Sequence, residues 1–159
     1  MAGVTLVAAT REAESRFFET TALGKTLVAY ARSGIRVRVF FENTRGLPVC
    51  YNQAIDATED EDEMLVFLHD DVYLPDLFWT RRVAEGLQKF SLLGVAGNRR
   101  RLPGQPAWAF TRIAPAENVY EWDEGRYLSG TVAHGAGFPC KVTNYGPDEQ
   151  ACLLLDGVL

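Results

Sequence analysis

The stretch EMLVFLHDDVYLPD, residues 63–76, decides the fold because an apolar run stops abruptly at three titratable side chains. The run from Met64 to Leu68 is typical of a β-strand that is covered on both faces of a parallel sheet. His69, Asp70 and Asp71 follow directly. Two neighbouring carboxylates repel each other, so we expect a compensating group or a ligand at this strand end.

Outward from this stretch, strands and helices alternate along the first two thirds of the chain. The predicted strands lie in VTLVAAT, IRVRVFFENT, EMLVFLHDD and SLLGVAGN, and the predicted helices between them lie in ESRFFETTALGKTLVAYARSG, LPVCYNQAIDAT and PDLFWTRRVAEGLQKF. This order predicts an α/β fold with a mostly parallel sheet flanked by helices and joined by right-handed crossovers.

Polar residues follow each of the predicted strands. In open parallel sheets, ligands bind beyond the carboxyl ends of the strands. We therefore expect the four strand ends to meet at one rim and to form a site there. The residues concerned are Thr10 and Arg11, Glu42 and Asn43, His69 to Asp71, and Asn98 with Arg99.

The adjacent carboxylates Asp70 and Asp71 have two interpretations. Hard oxygen ligands of this kind bind a divalent metal ion, which can bridge the phosphates of a nucleotide. Alternatively, they cap a helix or lie in a solvated turn, where Asp is common. Their position behind a buried strand and His69 favours a site. A zinc site of His69, Asp71, His134 and Cys140 lacks the usual ligand spacing.

The second part of the chain, residues 102–150, is rich in glycine, proline and aromatic residues and predicts loops with a hairpin over the rim. A last buried strand is predicted in QACLLLDGVL. Trp108 and Trp122 are candidates for stacking on a sugar or base, or for anchoring the loops. His134 is a candidate contact for an acceptor, or a structural imidazole. The basic run Arg99 to Arg101 fits either a diphosphate or a solvated turn.

Composition excludes several classes of function. The net charge of -5 argues against binding to nucleic acid or to an anionic membrane surface. No segment approaches the roughly 20 apolar residues that span a bilayer, and the apolar start of the sequence predicts a first strand rather than a signal peptide. The three cysteines lack CxxC spacing and indicate reduced thiols in a cytoplasmic protein. The absence of a P-loop and of G-x-G-x-x-G after the first strand argues against an NTPase or a dinucleotide enzyme.

The segment FLHDDVYLP resembles the Asp-x-Asp segment of family 2 glycosyltransferases, which have the GT-A fold. It is more similar still to the family 2-like domain named for the streptomycin-biosynthesis StrF protein, whose strand ends in Leu-His-x-Asp-Val. Three further segments resemble the same family in the same order: GLPVCYNQAIDAT, with its Tyr51–Asn52 pair, LLGVAGNRRRLPGQPAW and LLLDGVL. Together the matches span Val4 to Leu159.

The resemblance implies one GT-A-like domain over residues 1–159. Residues 1–101 would form the nucleotide-binding α/β half, and residues 102–159 a loop-rich segment with the final strand. The implied activity is metal-assisted transfer of a sugar from a nucleotide-sugar donor to an unknown acceptor. The implied cofactor is a divalent metal ion, Mn²⁺ or Mg²⁺.

The resemblance also implies roles for individual residues. Asp71 matches the metal-binding second Asp of Asp-x-Asp, Asp70 is the middle residue and a second metal candidate, and His69 replaces the first Asp. The residues implied in substrate binding are Thr10, Arg11, Glu42, Asn43, Asn52, His69, Asp70, Trp108 and His134.

The family's catalytic base lies downstream of the strand that LLLDGVL resembles, which predicts a fold shortened at the C-terminus. Asp156, or a carboxylate of a partner chain, is then the candidate base. An uncovered C-terminal strand predicts a homodimer, with that strand or residues 108–127 at the interface. The alternatives are an inactive nucleotide or nucleotide-sugar binding protein and a structural interaction module.

Overall fold

The computed structural model describes residues 3–31, 33–60, 62–134, 141–146 and 149–158, without the side chains of residues 133, 134, 157 and 158. The chain divides into two compact units, Met1–Lys89 and Phe90–Val158. The first unit combines helices with a parallel sheet, and the second contains antiparallel strands. The prediction of a mixed α/β protein is therefore confirmed.

The first unit alternates strands and helices in the predicted order. Its elements are β1 (Val4–Ala9), α1 (Glu14–Thr20), α2 (Ala22–Ala29), β2 (Arg36–Phe40), α3 (Leu47–Asp56), β3 (Met64–His69) and α4 (Trp79–Leu87). Each strand of this unit coincides with a predicted one, because continuous or alternating apolar runs of five to six residues leave little choice of periodicity.

β1 is the central strand of the first sheet, whose order is β2-β1-β3 with parallel pairing on both sides. Successive side chains of a strand point to opposite faces, and residues Leu6, Val7, Ala8 and Ala9 are all buried. Both faces of β1 are therefore covered. The register places Ala9 opposite Phe40 and opposite His69, so that the three strands end at the same level.

The predicted helix of residues 14–34 is instead two helices that meet at Thr21. This residue has an extended backbone (φ -82°, ψ 153°), and its hydroxyl accepts a hydrogen bond of 2.9 Å from the backbone N–H of Gly24. The same hydroxyl donates to the carbonyl of Phe17 at 2.8 Å. Thr21 thus caps α2 at its N-terminus, which ends α1. Helical spacing in the apolar residues did not reveal this cap.

The second unit is built from antiparallel strands. Its elements are β4 (Gly94–Asn98), β5 (Phe110–Ala114), β6 (Val119–Trp122), β7 (Leu128–His134), β8 (Lys141–Asn144) and β9 (Leu154–Val158), with short 3-10 helices at Pro115–Glu117 and Gly125–Tyr127. One sheet has the order β8-β7-β4-β9, and β5 and β6 form a separate hairpin. The predicted hairpin and the predicted final strand are present.

The position of β4 differs from the prediction of one mostly parallel sheet. β4 belongs to the second unit and pairs antiparallel with both β7 and β9. Its apolar run fits a central strand of either kind of sheet, because periodicity does not report strand direction. The strand-helix alternation therefore predicted β4 correctly as a strand and wrongly as a member of the parallel sheet.

The end of β4 is held by a buried polar network. Asn98 is fully buried, and its side-chain amide donates hydrogen bonds of 2.8 Å to the Trp108 carbonyl and to Asp123 Oδ2. Arg100 forms an ion pair with Asp123, with Nε 3.1 Å from Oδ2, and lies 3.7 Å from the centre of the Tyr127 ring. The hydrogen bonds from Arg100, together with those from Asn98 and the backbone, lower the pKa of Asp123 to about 2.

We predict that Asp123→Asn destabilises the protein by about 2 kcal/mol, because the guanidinium of Arg100 loses a charged acceptor in a buried setting. The lowered pKa means that the carboxylate stabilises the fold fully above about pH 4 and loses this effect as the pH falls towards 2. Urea denaturation followed by tryptophan fluorescence should show a difference between wild type and variant that shrinks over this range. The exposed pair of Glu117 and Arg112 provides the control, and Glu117→Gln should change stability by less than about 0.5 kcal/mol. A constant difference from pH 7 to pH 2 would contradict the role of the charge.

Candidate functional site

A cavity of about 430 Å³ lies beyond the carboxyl ends of β1, β2 and β3 and is here called the rim pocket. Its volume lies within the range of small-molecule sites, roughly 300–1,000 Å³. The chain passes from β1 to β2 on one side of β1 and then crosses to β3 on the other side. Such a change in the direction of progression across the sheet opens a crevice between loops that leave the sheet on opposite sides. The lining residues are Ala9, Thr10, Arg11, Glu12, Asn43, Thr44, Arg45, Gly46, Leu47, His69 and Asp70.

Thr10 connects two of the strand ends that form the rim pocket. It is 3% exposed, and its hydroxyl donates a hydrogen bond of 2.6 Å to Asp70 Oδ2. The backbone N–H of Glu12 donates to the same hydroxyl oxygen at 3.2 Å. The N–H of Leu23 donates to the Asp70 carbonyl at 3.0 Å, which fixes the backbone of Asp70 as well. The carboxylate of Asp70 is therefore held in one orientation by groups from β1 and α2.

The loop after β2 closes another side of the rim pocket. The backbone N–H of Asn43 donates to the Thr10 carbonyl at 2.8 Å, and that of Thr10 donates to the Phe40 carbonyl at 3.0 Å. The Asn43 side chain accepts from the Arg45 N–H at 3.1 Å and donates to the Arg45 carbonyl at 2.9 Å. The buried thiol of Cys50, from α3, lies 3.4 Å from Asn43 Oδ1. These bonds fix the loop that carries Arg45 and Gly46 to the start of α3.

Positive charge and a helix N-terminus meet at the rim pocket. Arg11 and Arg45 line it, and both side chains are exposed. Arg45 donates to Gln53 at 3.1 Å and lies 5.7 Å from the centre of the Phe40 ring. The N-cap of α3 is Gly46, whose lack of a side chain leaves the first turn without a side-chain cap. The N-terminus of a helix attracts anions, and arginine forms bidentate hydrogen bonds with phosphate.

Tyr51 lies next to the carboxylate side of the rim pocket. Its hydroxyl is 3.5 Å from the Leu68 carbonyl, and its ring centre is 4.7 Å from that of Phe67. Burial, and then the electrostatic influence of Cys50 and Asp70, raise the pKa of the Tyr51 phenol. Tyr51 therefore stays a neutral hydrogen-bond donor at physiological pH.

The structure brings five of the predicted site residues together and leaves three others outside the lining. Thr10, Arg11, Asn43, His69 and Asp70 all line the rim pocket. Glu42, Asn52 and Asp71 are exposed and are not among its lining residues. Glu42 has a left-handed backbone (φ 47°) and donates its N–H to the Glu12 carbonyl at 3.0 Å, which turns the chain after β2.

Three predicted site residues belong to the second unit. Trp108 is half-buried, and its ring meets that of Tyr145 edge to face at 6.2 Å. Asp156 has an exposed side chain in the middle of β9, where it pairs with Ala96. The backbone of His134 ends β7 opposite Lys141, and its side chain lies outside the described residues.

Two charged residues of the rim pocket were missed from the sequence, Glu12 and Arg45. Glu12 forms an ion pair with Arg16 at 3.0 Å. A signal for Arg45 exists in the sequence, because a basic residue followed by glycine and proline stands directly before the predicted helix LPVCYNQAIDAT. Proline in the first turn marks the start of a helix and so the position of its N–H groups.

The described residues contain no group of three His, Cys, Asp or Glu side chains that could hold a metal ion by themselves. Asp70 and Asp71 supply hard oxygen ligands, and Thr10 already occupies one oxygen of Asp70. A metal ion held by these two carboxylates would need further oxygens from a bound ligand to complete its coordination.

Comparison of the chain with protein-family models, with curated proteins and with solved structures finds no match. Within the described part of the chain, every helix is too short or too polar to traverse a bilayer. Cys50 and Cys152 are free thiols.

We predict that Thr10→Val preserves the packing of the β1 end but releases the Asp70 carboxylate. The variant keeps the side-chain shape and loses two hydrogen bonds, so we expect a loss of about 1–3 kcal/mol in unfolding free energy, measured by urea denaturation. Thr20→Val is the matched control, since the Thr20 hydroxyl bonds only a carbonyl of its own exposed helix turn within the described residues. Equal stability of the two variants would show that the Thr10–Asp70 bond contributes nothing.

Proposed function

We propose that this chain binds a nucleotide-sugar in the rim pocket and transfers its sugar to a hydroxyl-bearing acceptor, as a glycosyltransferase of the GT-A type. The proposal rests on one observation above all. Thr10, Arg11, Asn43, His69 and Asp70, from three different strand ends, line a single pocket of ligand size. The resemblance of FLHDDVYLP to the Asp-x-Asp segment supplies the chemistry.

The diphosphate of the donor would lie against Arg11, Arg45 and the start of α3. The two guanidinium groups and the N-terminal end of α3 at Gly46 and Leu47 are the positive features among the residues that line the pocket. A diphosphate matches them in charge and in hydrogen-bonding geometry. Asn43 would face the nucleoside, because its loop closes the β2 side of the pocket.

Asp70 and Asp71 would hold a Mn²⁺ or Mg²⁺ ion jointly with the diphosphate oxygens. Such an ion, when bound, neutralises charge on a departing diphosphate. Thr10 would orient the Asp70 carboxylate through its hydrogen bond, so that its second oxygen is available to the pocket. Asp71, which is exposed, would turn its carboxylate to the shared ion.

Sugar transfer needs a base that takes up a proton, in addition to the pocket that binds the nucleotide-sugar. The acceptor oxygen forms a bond to the anomeric carbon while the bond from that carbon to the diphosphate breaks, and the acceptor's proton passes to a base. Asp156 is the candidate base within this chain, and a carboxylate of a partner chain is the alternative.

A second candidate function is nucleotide or nucleotide-sugar binding without catalysis. The two carboxylates that line the rim pocket are both engaged, Asp70 by Thr10 and Glu12 by Arg16. One oxygen of each carboxylate is thereby already occupied by a donor of this chain. This observation favours binding alone, and the two candidates share the same pocket and ligand class.

We predict that nucleoside diphosphates raise the melting temperature of the protein and that manganese increases the shift. A ligand that binds only the folded state stabilises it by mass action. Screening uridine, guanosine, adenosine, cytidine and thymidine diphosphates and their sugars, with and without Mn²⁺, identifies the nucleotide. Isothermal titration then gives its affinity, and release of the nucleoside diphosphate over time separates transfer or hydrolysis from binding alone.

Two variants test the assignment of the pocket in the same titration. Arg45→Gln should weaken diphosphate binding about 10-fold or more through the loss of a charged hydrogen bond, whereas Arg81→Gln, on the exposed surface of α4, should not. Asp71→Asn should lower affinity only when Mn²⁺ is present. Unchanged binding in both Arg45→Gln and Asp71→Asn would show that the nucleotide does not bind in the rim pocket, which would contradict the proposal.

We propose in addition that the protein forms a homodimer through β9 or through the β5–β6 hairpin. β9 is an edge strand in the order β8-β7-β4-β9, and edge strands pair readily with a second chain. On the hairpin, Tyr120 and Trp122 are about half exposed. Size-exclusion chromatography with light scattering decides the point, and a monomer at tens of micromolar concentration would exclude it.

A further inference from the structure

A second cavity, of about 550 Å³, lies entirely within the second unit and is here called the sheet-face pocket. Its floor is one face of the sheet, because Gly97 of β4 is opposite Ser129 of β7 and Leu155 of β9, and all three line the cavity. Residues paired in this way present their side chains on the same face. The segments 90–93 and 149–152 form its walls.

Gly97 brings a thiol to the floor of this pocket. A Cβ atom at this position would lie 2.6 Å from the Leu154 carbonyl oxygen and 3.0 Å from Cys152 Sγ. The missing side chain is therefore what allows the chain before β9 to approach β4. It also places the Cys152 sulfur directly over the sheet, beside the cavity that Cys152 lines.

Ser129 contributes a hydroxyl group to the floor of the pocket. The residue is 8% exposed, and no hydrogen bond of its hydroxyl to another described residue is found, so the hydroxyl is open to the cavity. Because Ser129 lines the pocket, a bound molecule can form a hydrogen bond with this hydroxyl.

The charge of the lining limits the kind of molecule that fits. Among the described residues, the titratable side chains of the lining are those of Glu149 and Cys152, and no lysine, arginine or histidine is among them. Its larger members are Phe90, Leu92, Leu93, Val95 and Leu155. A phosphate or carboxylate would find no positive side chain among these described lining residues, in contrast to the rim pocket with Arg11 and Arg45. An apolar body with a few hydrogen-bonding atoms matches such a lining.

We propose that the sheet-face pocket binds a small uncharged molecule, with an apolar body in contact with Leu155 and Val95 and a carbonyl or ether oxygen that accepts a hydrogen bond from Ser129. The thiol of Cys152 borders the bound molecule. This site is separate from the rim pocket and does not depend on nucleotide-sugar binding.

The test uses the full chain and two dyes of opposite character. Nile red is uncharged, has a carbonyl acceptor and becomes strongly fluorescent in an apolar site, whereas anilinonaphthalene sulfonate is anionic. All measurements are made in a Cys140→Ser background, because Cys50 is buried and Cys152 then remains as the accessible thiol. We expect saturable Nile red binding at one site, at least 10-fold tighter than that of the anionic dye.

Covalent filling of the pocket identifies where the dye binds. N-ethylmaleimide joins the Cys152 sulfur through one carbon–sulfur bond, and the neighbouring carbon takes up a proton from solvent. Mass spectrometry verifies the modification of Cys152. Alkylation should reduce Nile red affinity at least 10-fold, and bound Nile red should slow alkylation to a similar degree. Equal affinity before and after alkylation would overturn the proposal.

Ser129→Ala tests the hydroxyl separately from the fold. Since the hydroxyl has no partner among the described residues, we expect an unchanged or raised melting temperature together with Nile red binding that is about 5–10-fold weaker. Ser33→Ala, at an exposed position of the first unit, is the control. A melting temperature lowered by several degrees would mean that Ser129 already has a structural partner, and undiminished dye binding would remove its role in recognition. Either result would refute the assignment.

Discussion

The central position of β1 is the constraint on which the first unit depends. Parallel strands that start and stop in register bring their carboxyl ends to one level, and Ala9 lies opposite both Phe40 and His69. The backbone must then leave the sheet in three loops from adjacent points. The strand arrangement by itself therefore creates a concave rim. The Thr10 hydroxyl bonds across this rim to Asp70 and converts two independent strand ends into one polar surface. Polar residues at strand ends thus become neighbours through backbone pairing alone.

The sequence was sufficient to predict the strands of the first unit and the meeting of their polar ends. Apolar runs specify a strand strongly, and parallel order follows from the intervening helices. The break at Thr21 was missed because a single threonine that bonds the N–H of Gly24 interrupts a pattern that is helical on both sides. The partners of β4 were missed because they lie some 30–60 residues later, in a segment where glycine and proline obscure the strand periodicity.

The location of a residue on the rim could be predicted where position along a strand decides it, and could not where a loop decides it. His69 and Asp70 lie on the rim because β3 places them there, whereas Arg45 reaches it through the hydrogen bonds of Asn43. The polar end of β4 has a different use. The Asn98 amide donates to the Trp108 carbonyl and to Asp123, so a polar strand end can equally hold the fold together through internal hydrogen bonds. Polarity in a sequence does not separate these two roles, since both need buried hydrogen-bonding groups.

The outer edge of the parallel sheet has a bearing on how the protein behaves at high concentration. β2 is one of the sheet's two edge strands, and its sequence RVRVF alternates arginine with valine, with Val37 nearly half exposed. An edge with open backbone groups and a valine surface would favour fibril-like stacking of molecules. Pairing β2 with a copy of itself would bring the guanidinium groups of Arg36 and Arg38 against those of the other molecule. The strand therefore carries its own gatekeepers, and replacing both arginines by threonine would leave the fold's pattern intact while opening a path to precipitation.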